Sequence, residues 1–229
     1  MTCKDTIFLL IQAYFTPFFL HKIKNRKFAL EMLRTMQFVD IHTHRPTGVH
    51  IEPRSFGIHP WDSERFNPDE ISAHLANTDV VGEIGLDFAC RIPHDVQVKA
   101  LRAQLQTAAK TWKPVVLHCV RAFEPMMKIL NNYRLRAVIF HGFIGSEQQA
   151  ARAVANGYWL SFGPMTFRSP KTVRALQAVP LQNLFLETDD SGIAIETVYS
   201  LAAEAKGLTV EQLKVATFNN YTRIFDNHE

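Results

Sequence analysis

Side chains of the types that bind divalent metals follow five short apolar runs in this sequence. The runs lie in the segments FVDIHTH, VVGEIGLD, PVVLHC, AVIFHGF and LFLETDD, and each run is typical of a buried β-strand. In every segment the polar group comes at the carboxyl end of the run. Because the strands of a parallel barrel end at one face, where active sites lie, we expect these groups to converge there. They are His42, His44, Glu83, His118, His141 and Asp189.

Four imidazoles and two carboxylates at one place would form a metal centre. This mixture of ligands suits Zn²⁺ or Mn²⁺, and also Mg²⁺ if water completes the coordination shell. Six ligands exceed one tetrahedral shell, so two cations bridged by a carboxylate and a water are the simplest explanation. Such a pair activates the water and stabilises the attacking and leaving oxygens of a displacement at phosphorus.

The alternative for any one of these residues is a core polar group with a satisfied hydrogen bond. The pair His42 and His44 is a weak signal alone, and His118 or His141 taken singly is better explained by the alternative. Six such residues at strand ends favour metal binding. Cys119 follows His118 and would point to the opposite face of a strand, which indicates a small buried residue rather than a ligand.

The order of elements predicts an α/β fold, a TIM-like (β/α) barrel. Near-continuous apolar strands that alternate with helices indicate a parallel sheet. We count seven strands where a complete barrel has eight, so one strand–helix unit is missing and the barrel should be distorted. The predicted strands are 37–41, 55–59, 79–84, 114–118, 136–140, 158–162 and 184–188. The predicted helices are 68–76, 95–111, 123–132, 146–156, 170–178, 195–206 and 210–225, with capping boxes at Ser146/Gln149 and Thr209/Gln212.

Charge separates an N-terminal extension, residues 1–35, from a hydrolase barrel over residues 36–229. The chain has 229 residues, 47% of them apolar, which is enough for the core of one barrel domain. The extension holds six basic and two acidic side chains, so the net charge of +3 becomes −1 over 36–229. The barrel is therefore not a basic nucleic-acid platform. Three scattered cysteines form no disulfide framework and favour a reducing, cytoplasmic location.

The extension contains an apolar stretch, IFLLIQAYFTPFFL, followed by the basic HKIKNRK. The stretch is shorter than the ~20 apolar residues of a membrane helix, is interrupted by Pro17, and lacks the cleavage site of a signal peptide. We interpret it first as the product of an upstream start codon, with Met36 the biological start. A helix packed on the barrel comes second, and a weak membrane-surface anchor third. We expect no stable membrane association and no obligate protein partner.

A set of motifs over residues 37–225 resembles the TatD family of metal-dependent hydrolases, deoxyribonucleases among the amidohydrolase-like barrels. The motifs are DIHTH, GIHPW, GEIGLD, PVVLHC, FHGF, SFG, LETD and NYTRIF, in family order. The resemblance implies that the six residues above are the ligands of two metal ions. It implies that Glu83 bridges the ions and that Asp189 also takes the proton of the attacking water. The implied reaction is hydrolysis of DNA phosphodiesters, in some members as 3′ exonucleases.

The sequence departs from the family pattern around the expected substrate pocket. Only Arg45–Phe56 fill a space that normally holds a helix and a strand. Trp61 stands in place of the second histidine of a glycine-His-Pro-His motif. Val120 replaces an arginine, with Arg121 one place later, and Asp190 begins a pair that replaces Ser-Pro or Ala-Pro. All six expected ligands are present, so these departures concern the substrate rather than the metals.

Arginines near the strand ends are candidates for phosphate contacts, because a guanidinium binds phosphate oxygens in a bidentate manner. Arg121 is the first choice, and the others are Arg45, Arg91 and Arg168. The alternative is surface ion pairs with rim acids such as Glu52, Glu124 or Asp190. His59 ends a strand before Pro60 and is either a phosphate contact or a structural hydrogen-bonding group.

Two classes of function follow. The first is a two-metal hydrolase that cleaves phosphodiesters at nucleic-acid ends or in a small phosphoester. Within that class, another phosphate ester or a carboxylic ester such as D-aminoacyl-tRNA is the alternative substrate. The second class is a non-catalytic metal-binding barrel. The presence of all six expected ligands counts against the second class. A barrel that had lost catalysis would have accumulated substitutions at one or more of these positions.

Overall fold

A single parallel sheet of six strands runs in sequence order through the described part of the chain. The computed structural model describes residues 37–225, so the extension predicted at 1–35 lies outside the described residues. Every neighbouring pair of strands is parallel. The strands are β1 (Ser55–Phe56), β2 (Val80–Asp87), β3 (Val115–Val120), β4 (Val138–Phe140), β5 (Trp159–Phe162) and β6 (Leu184–Leu186).

A seventh segment closes the sheet into a TIM-like barrel, but it is not a regular strand. The backbone N–H of Ile41 donates to the carbonyl of Leu186 in β6 at 3.2 Å. On the other side, the N–H of Asp40 donates to the carbonyl of Ile51, just before β1, at 2.9 Å. The predicted strand 37–41 is therefore reduced to isolated bridges. The bridges join Val39 to Ile51 and Thr43 to Asp189, and neither partner belongs to a regular strand.

The connection between the closing segment and β1 contains no helix, which fits the expected loss of a strand–helix unit. The seven predicted strands thus correspond to six sheet strands and one bridged segment. Residues 45–54 form a loop that returns the chain to Val39 and to the start of β2, and Glu52 holds the first part of this loop. Both oxygens of Glu52 accept the backbone N–H of Thr47, at 3.0 and 2.9 Å.

Seven α-helices occur in the described residues, each at a predicted place. They are α1 (Pro68–His74), α2 (His94–Thr111), α3 (Phe123–Leu130), α4 (Glu147–Ala155), α5 (Pro170–Ala178), α6 (Ile195–Lys206) and α7 (Val210–Phe225). Ser146 and Gln149 form the predicted capping box of α4, and Thr209 and Gln212 form the same pair of bonds before α7. Among residues 37–225, no helix has the length and apolar character needed to cross a membrane.

The strands are buried on both faces, which explains their near-continuous apolar sequence. A large core lies between the sheet and the helices. A smaller cluster fills the barrel interior, where Val116, Ile139 and Phe185 pack with Ile41 and Ile224. Because side chains two apart on a strand share a face, positions 118, 141 and 187 continue this inner face at the carboxyl ends of the strands.

Gly85 allows β2 and β3 to lie unusually close together. Its φ is +158°, and a Cβ at this position would lie 1.9 Å from the carbonyl oxygen of His118. Only glycine fits such an approach. The register between β2 and β3 also shifts between Val81 and Ile84. This close, irregular pairing positions Glu83 of β2 beside His118 of β3.

Candidate metal centre

Glu83 lies at the centre of the site, and its two carboxylate oxygens face different histidines. The Oε1 atom is 2.6 Å from His118 Nδ1 and 2.6 Å from His141 Nε2. The Oε2 atom is 3.3 Å from His42 Nε2 and 3.5 Å from His44 Nε2. The structure therefore places four of the expected ligands around the carboxylate of a fifth.

The sixth, Asp189, joins His42 and His44 in what we call the open half of the site. The side chains of His44 and Asp189 are 54% and 38% exposed, and Asp189 Oδ1 lies 3.4 Å from His44 Nε2. Asp189 donates its backbone N–H to the carbonyl of His42, and its own carbonyl accepts the N–H of His44, both at 3.0 Å. These two hydrogen bonds hold the open half together across the barrel closure.

The closed half consists of His59, His118 and His141 around Oε1 of Glu83. The side chains of His118 and His141 are 15% and 5% exposed, and His59 Nε2 lies 3.4 Å from Oε1. His59 Nδ1 accepts the backbone N–H of Trp61 at 3.2 Å, so the neutral ring carries its proton on Nε2. That nitrogen is a donor, and His59 is therefore better suited to contact an oxygen than to bind a cation.

The site concentrates negative charge. Burial alone would raise the pKa of Glu83, but hydrogen bonds from the surrounding histidines outweigh burial and hold it far below its usual range. Burial alone would lower the pKa of His141, but Glu187 and Glu83 raise it well above its usual value. Burial raises the pKa of Asp189, and the charges of Glu187 and Glu83 act in the same direction, against His141 and His42. A cation placed among these carboxylates would relieve their mutual repulsion.

Glu187 contributes to the site and was not among the residues expected from the sequence. Its side chain is completely buried, and Oε1 accepts the backbone N–H of Gly142 at 2.6 Å. The same oxygen lies 3.3 Å from His141 Nδ1, on the side of the ring away from Glu83. A carboxylate behind a histidine fixes the orientation of the ring. The available signal was the period of two, since Glu187 precedes Asp189 by two positions on one face.

Asp40 supports the open half from within the barrel and was also missed. Its carboxylate accepts the backbone N–H of Thr188 at 3.0 Å and the hydroxyl of Thr188 at 2.6 Å. Burial raises the pKa of Asp40 to about 7, against these two hydrogen bonds. Because Thr188 precedes Asp189, the contact ties the closing segment to the residue at the mouth.

Asp87 makes the contacts of an orienting residue. It accepts the indole N–H of Trp61 at 2.7 Å and the backbone N–H of Ala89 at 2.8 Å. His118 Nε2 lies 3.5 Å from the same Oδ2 atom that accepts the indole N–H. The carboxylate thus links the loop after β2, the residue after Pro60, and a histidine of the closed half.

Within residues 37–225, the rim arginines form no ion pair with Glu52, Glu124 or Asp190, the acids named above as their alternative partners. Glu124 pairs instead with Arg152 at 2.6 Å, and Glu52 accepts hydrogen bonds from its own loop. Arg121 is exposed at the end of β3 with φ +51°. Like the other three rim arginines, it makes no ion pair or side-chain hydrogen bond with any residue in 37–225. The mouth therefore carries exposed positive charge beside an acidic centre.

The donor set fits divalent cations. Four groups of three side chains place their ligand atoms within 4.8 Å of one another, and Glu83 belongs to two of these groups. The Nε2 atoms of His42 and His118 are buried and have no hydrogen-bond partner within the described residues. Buried nitrogens without a partner, beside ionised carboxylates, are the arrangement that a bound cation would satisfy.

A family description, TatD related DNase, matches residues 53–226, which is most of the chain. The chain belongs to the TatD-related DNase family. The matched range includes Glu83, Asp189 and the three histidines of the closed half. His42 and His44 precede the matched range, and the structure places them at the same centre.

Curated TatD relatives share sequence with part of this chain. Human deoxyribonuclease TATDN3 is 29% identical over 161 residues, which cover 63% of this chain and 59% of its own length. The 3′-5′ ssDNA/RNA exonuclease TatD of Salmonella typhimurium is 34% identical over 145 residues, covering 58% of this chain and 55% of its own. This chain thus spans little more than half the length of these relatives.

A solved TatD structure shares the barrel. The crystal structure of YjjV, a TatD homolog from Escherichia coli K12, superposes with a TM-score of 0.68 at 27% sequence identity. The superposition covers 78% of this chain and 78% of that one. YjjV is itself described as an uncharacterised metal-dependent hydrolase. The barrel described above is therefore a TatD-type barrel.

Proposed function

We propose that this chain is a two-metal hydrolase that cleaves phosphodiesters at nucleic-acid ends. The observation that carries the proposal is the position of Glu83. Its Oε1 atom faces the closed half and its Oε2 atom faces the open half, within 2.6 and 3.3 Å of the nearest histidine nitrogens. A carboxylate that bridges two cations needs one oxygen directed to each, and this orientation provides both.

The proposed ligands are the six residues expected from the sequence, shared between the halves with Glu83 in common. Zn²⁺, Mn²⁺ and Mg²⁺ all suit a mixed set of imidazole and carboxylate ligands. When bound, such cations lower the pKa of water and neutralise the charge that develops on phosphoryl oxygens. Glu187 would hold the ring of His141 in the orientation that directs Nε2 toward Glu83.

Asp189 is the proposed proton acceptor for the attacking water. Its carboxylate is partly exposed, borders His44 and His42, and lies at the side of the centre that solvent reaches. The two backbone hydrogen bonds to the closing segment keep it in that position. A positioned base of this kind contributes about 10²–10⁴-fold to a rate.

His59 and Arg121 are the proposed contacts to the substrate phosphate. His59 presents an Nε2–H donor beside the centre, as the hydrogen bond at its Nδ1 requires. Arg121 presents an exposed guanidinium at the end of β3, three residues beyond His118. Donors on two sides would orient a phosphodiester between them.

Two further observations support nucleic-acid ends as the substrate. The relatives described above are a deoxyribonuclease and a 3′-5′ single-strand exonuclease. The net charge of −1 over residues 36–229 gives the barrel no excess of basic side chains to bind the phosphates of a long duplex. Ends and short strands need fewer such contacts.

The test compares cleavage of a short 3′-ended single strand with cleavage of a closed circular duplex, at equal phosphate. Assays with added Mn²⁺, Zn²⁺ or Mg²⁺ should show metal-dependent hydrolysis that is faster on the short strand. Glu83→Gln should abolish it, whereas Glu124→Gln, a change of an outer ion pair, should not. Activity that survives chelation, faster cleavage of the circle, or cleavage of carboxylic esters alone would contradict the proposal.

A further inference from the structure

We propose that Trp61 is a stacking platform for an unpaired nucleobase, on the nucleotide whose phosphate lies at the metal centre. This subsite rests on the proposed function for its substrate class. The indole follows β1 and lies in a short 3₁₀ segment, Pro60–Arg65, at the mouth of the barrel. It is 59% exposed, although it is among the largest apolar groups in the chain.

Trp61 is exposed and yet fixed in position. Its indole N–H donates to Asp87 at 2.7 Å, and its backbone N–H donates to His59 Nδ1 at 3.2 Å. An exposed tryptophan on a free loop would lose side-chain freedom when a ligand binds. Here the bonds at the indole nitrogen and at the backbone have already restricted it, so a ligand would meet a preorganised ring.

The ring lies directly beside the proposed reaction centre. Its centroid is 4.8 Å from that of His59, which the ring meets edge-on, and 6.4 Å from that of His118. Both imidazoles contact Oε1 of Glu83. A base stacked on the indole would therefore belong to a nucleotide whose phosphate is at the centre, and not to a remote part of the strand.

The hydrogen bond to Asp87 does not explain the exposed ring. That bond needs only an N–H group, which a smaller polar side chain would supply without exposing apolar surface.

The neighbouring strand end continues the same surface. Val120 pairs with Asp87 in the β2–β3 register and is 36% exposed. Arg121 follows it with an unpaired guanidinium, so apolar surface for a base lies next to a donor for a phosphate.

An unpaired nucleobase is the occupant that matches these groups. Every base presents a flat π-face that stacks on an aromatic ring irrespective of sequence, and arginine supplies the accompanying phosphate contact. A base inside a duplex is already stacked on its neighbours and cannot cover the indole. The subsite therefore favours single-stranded ends, and purines over pyrimidines because their stacking area is larger.

The experiment measures binding of deoxyadenosine 5′-monophosphate and 2-deoxyribose 5-phosphate to metal-loaded protein. These probes differ only in the base, and neither contains a phosphodiester, so the result does not depend on hydrolysis. The nucleotide should bind more tightly than the sugar phosphate to the wild type, and Trp61→Ala should remove the difference. Stacking on one aromatic ring corresponds to roughly 5- to 150-fold in affinity.

Two variants separate stacking from a supporting role of the indole. Trp61→Phe keeps an aromatic face but lacks the N–H, so it should retain most of the preference for the nucleotide. Trp112→Ala removes the other strongly exposed tryptophan of the described residues, at the far end of α2, and should change nothing. Equal losses for both probes in Trp61→Ala, a Phe variant that behaves like Ala, or a wild type that binds both probes equally would overturn the proposal. Failure of phosphodiester cleavage would instead reject the proposed function.

Discussion

The two halves of the candidate metal centre are built in different ways. The closed half stands on paired strands of the sheet: His118 lies in β3 and His141 directly follows β4, both with little exposure. The open half stands on the irregular closing segment and on Asp189, three residues beyond β6, and two of its three side chains face solvent. One carboxylate, Glu83, belongs to both halves.

This difference assigns different tasks to the halves. A buried, rigid set of ligands holds a cation firmly, whereas an exposed set leaves room for water and substrate. We therefore expect the closed half to bind the more tightly held of the two proposed cations. The open half should bind the more exchangeable ion and the attacking water. Each prediction below tests one side of that comparison.

The largest expected effect is in the open half. Asp189→Asn keeps the size and the backbone contacts of Asp189 but removes the proton acceptor. We expect kcat to fall by about 10²–10⁴-fold with little change in substrate binding. Steady-state kinetics on a substrate with rate-limiting chemistry would measure this, with Asp190→Asn as the adjacent, exposed control. A variant within a few-fold of the wild type would show that another group accepts the proton.

The next effect concerns the closed half. Glu187→Gln should lower the affinity for the more tightly held of two cations by about 10–100-fold, because the amide cannot hold the ring of His141 as the carboxylate does. Binding of the weaker cation should change less, because Glu187 acts on Asp189 only through its charge. Metal content after graded competition with a chelator measures both affinities. If both affinities fell equally, or if only the affinity for the exchangeable cation fell, Glu187 would not act through the closed half.

A third test addresses the strand pairing under the closed half. Gly85→Ala would place a methyl group 1.9 Å from the carbonyl oxygen of His118, so β2 and β3 must separate. We expect the free energy of unfolding to fall by about 1–3 kcal/mol, measured by thermal or denaturant unfolding. Gly48→Ala is the matched control, since Gly48 has a φ of +71° but no atom within 4 Å of the added carbon. Similar losses in both variants would attribute the effect to backbone strain rather than to the strand contact.

The smallest effect concerns the rim. Arg121→Gln should lower the salt dependence of single-strand binding by about 0.7 in the log–log slope, the amount expected for one lost phosphate contact. Binding of a short strand over a range of salt concentrations measures the slope. Arg152→Gln serves as the control, because Arg152 already pairs with Glu124. An unchanged slope in the Arg121 variant would remove that residue from the substrate contacts.

Most of the barrel could be predicted from the sequence because strands such as β2, β4 and β6 are buried on both faces. The runs ending at His118 and His141 are apolar throughout, and such runs, bounded by helical patterns, favour parallel strands. The closing segment could not be predicted in the same way. Its pairing depends on Ile51 and Asp189, which lie outside the regular strands and outside any local pattern of residues 37–41.

The candidate site was predictable to the extent that its residues end strands. Glu187 was not expected because its role depends on Gly142 and His141, which belong to another part of the chain. The sequence could not predict which ring nitrogen of His59 carries the proton either. It depends on a hydrogen bond from Trp61 across a 3₁₀ turn, and the same residues in another turn would leave the ring free.

The bridges that close the barrel join residues far apart in the chain: Thr43 and Asp189 are separated by 146 positions. Contacts of such separation carry a large loop-closure entropy and form late in folding. The chain is synthesised from its N-terminus, so Glu83 and the closed half emerge from the ribosome before Asp189 does. We therefore expect a nascent chain to hold one complete half first. We expect the nascent chain to gain the second proposed cation position and the proposed proton acceptor together, when the barrel closes.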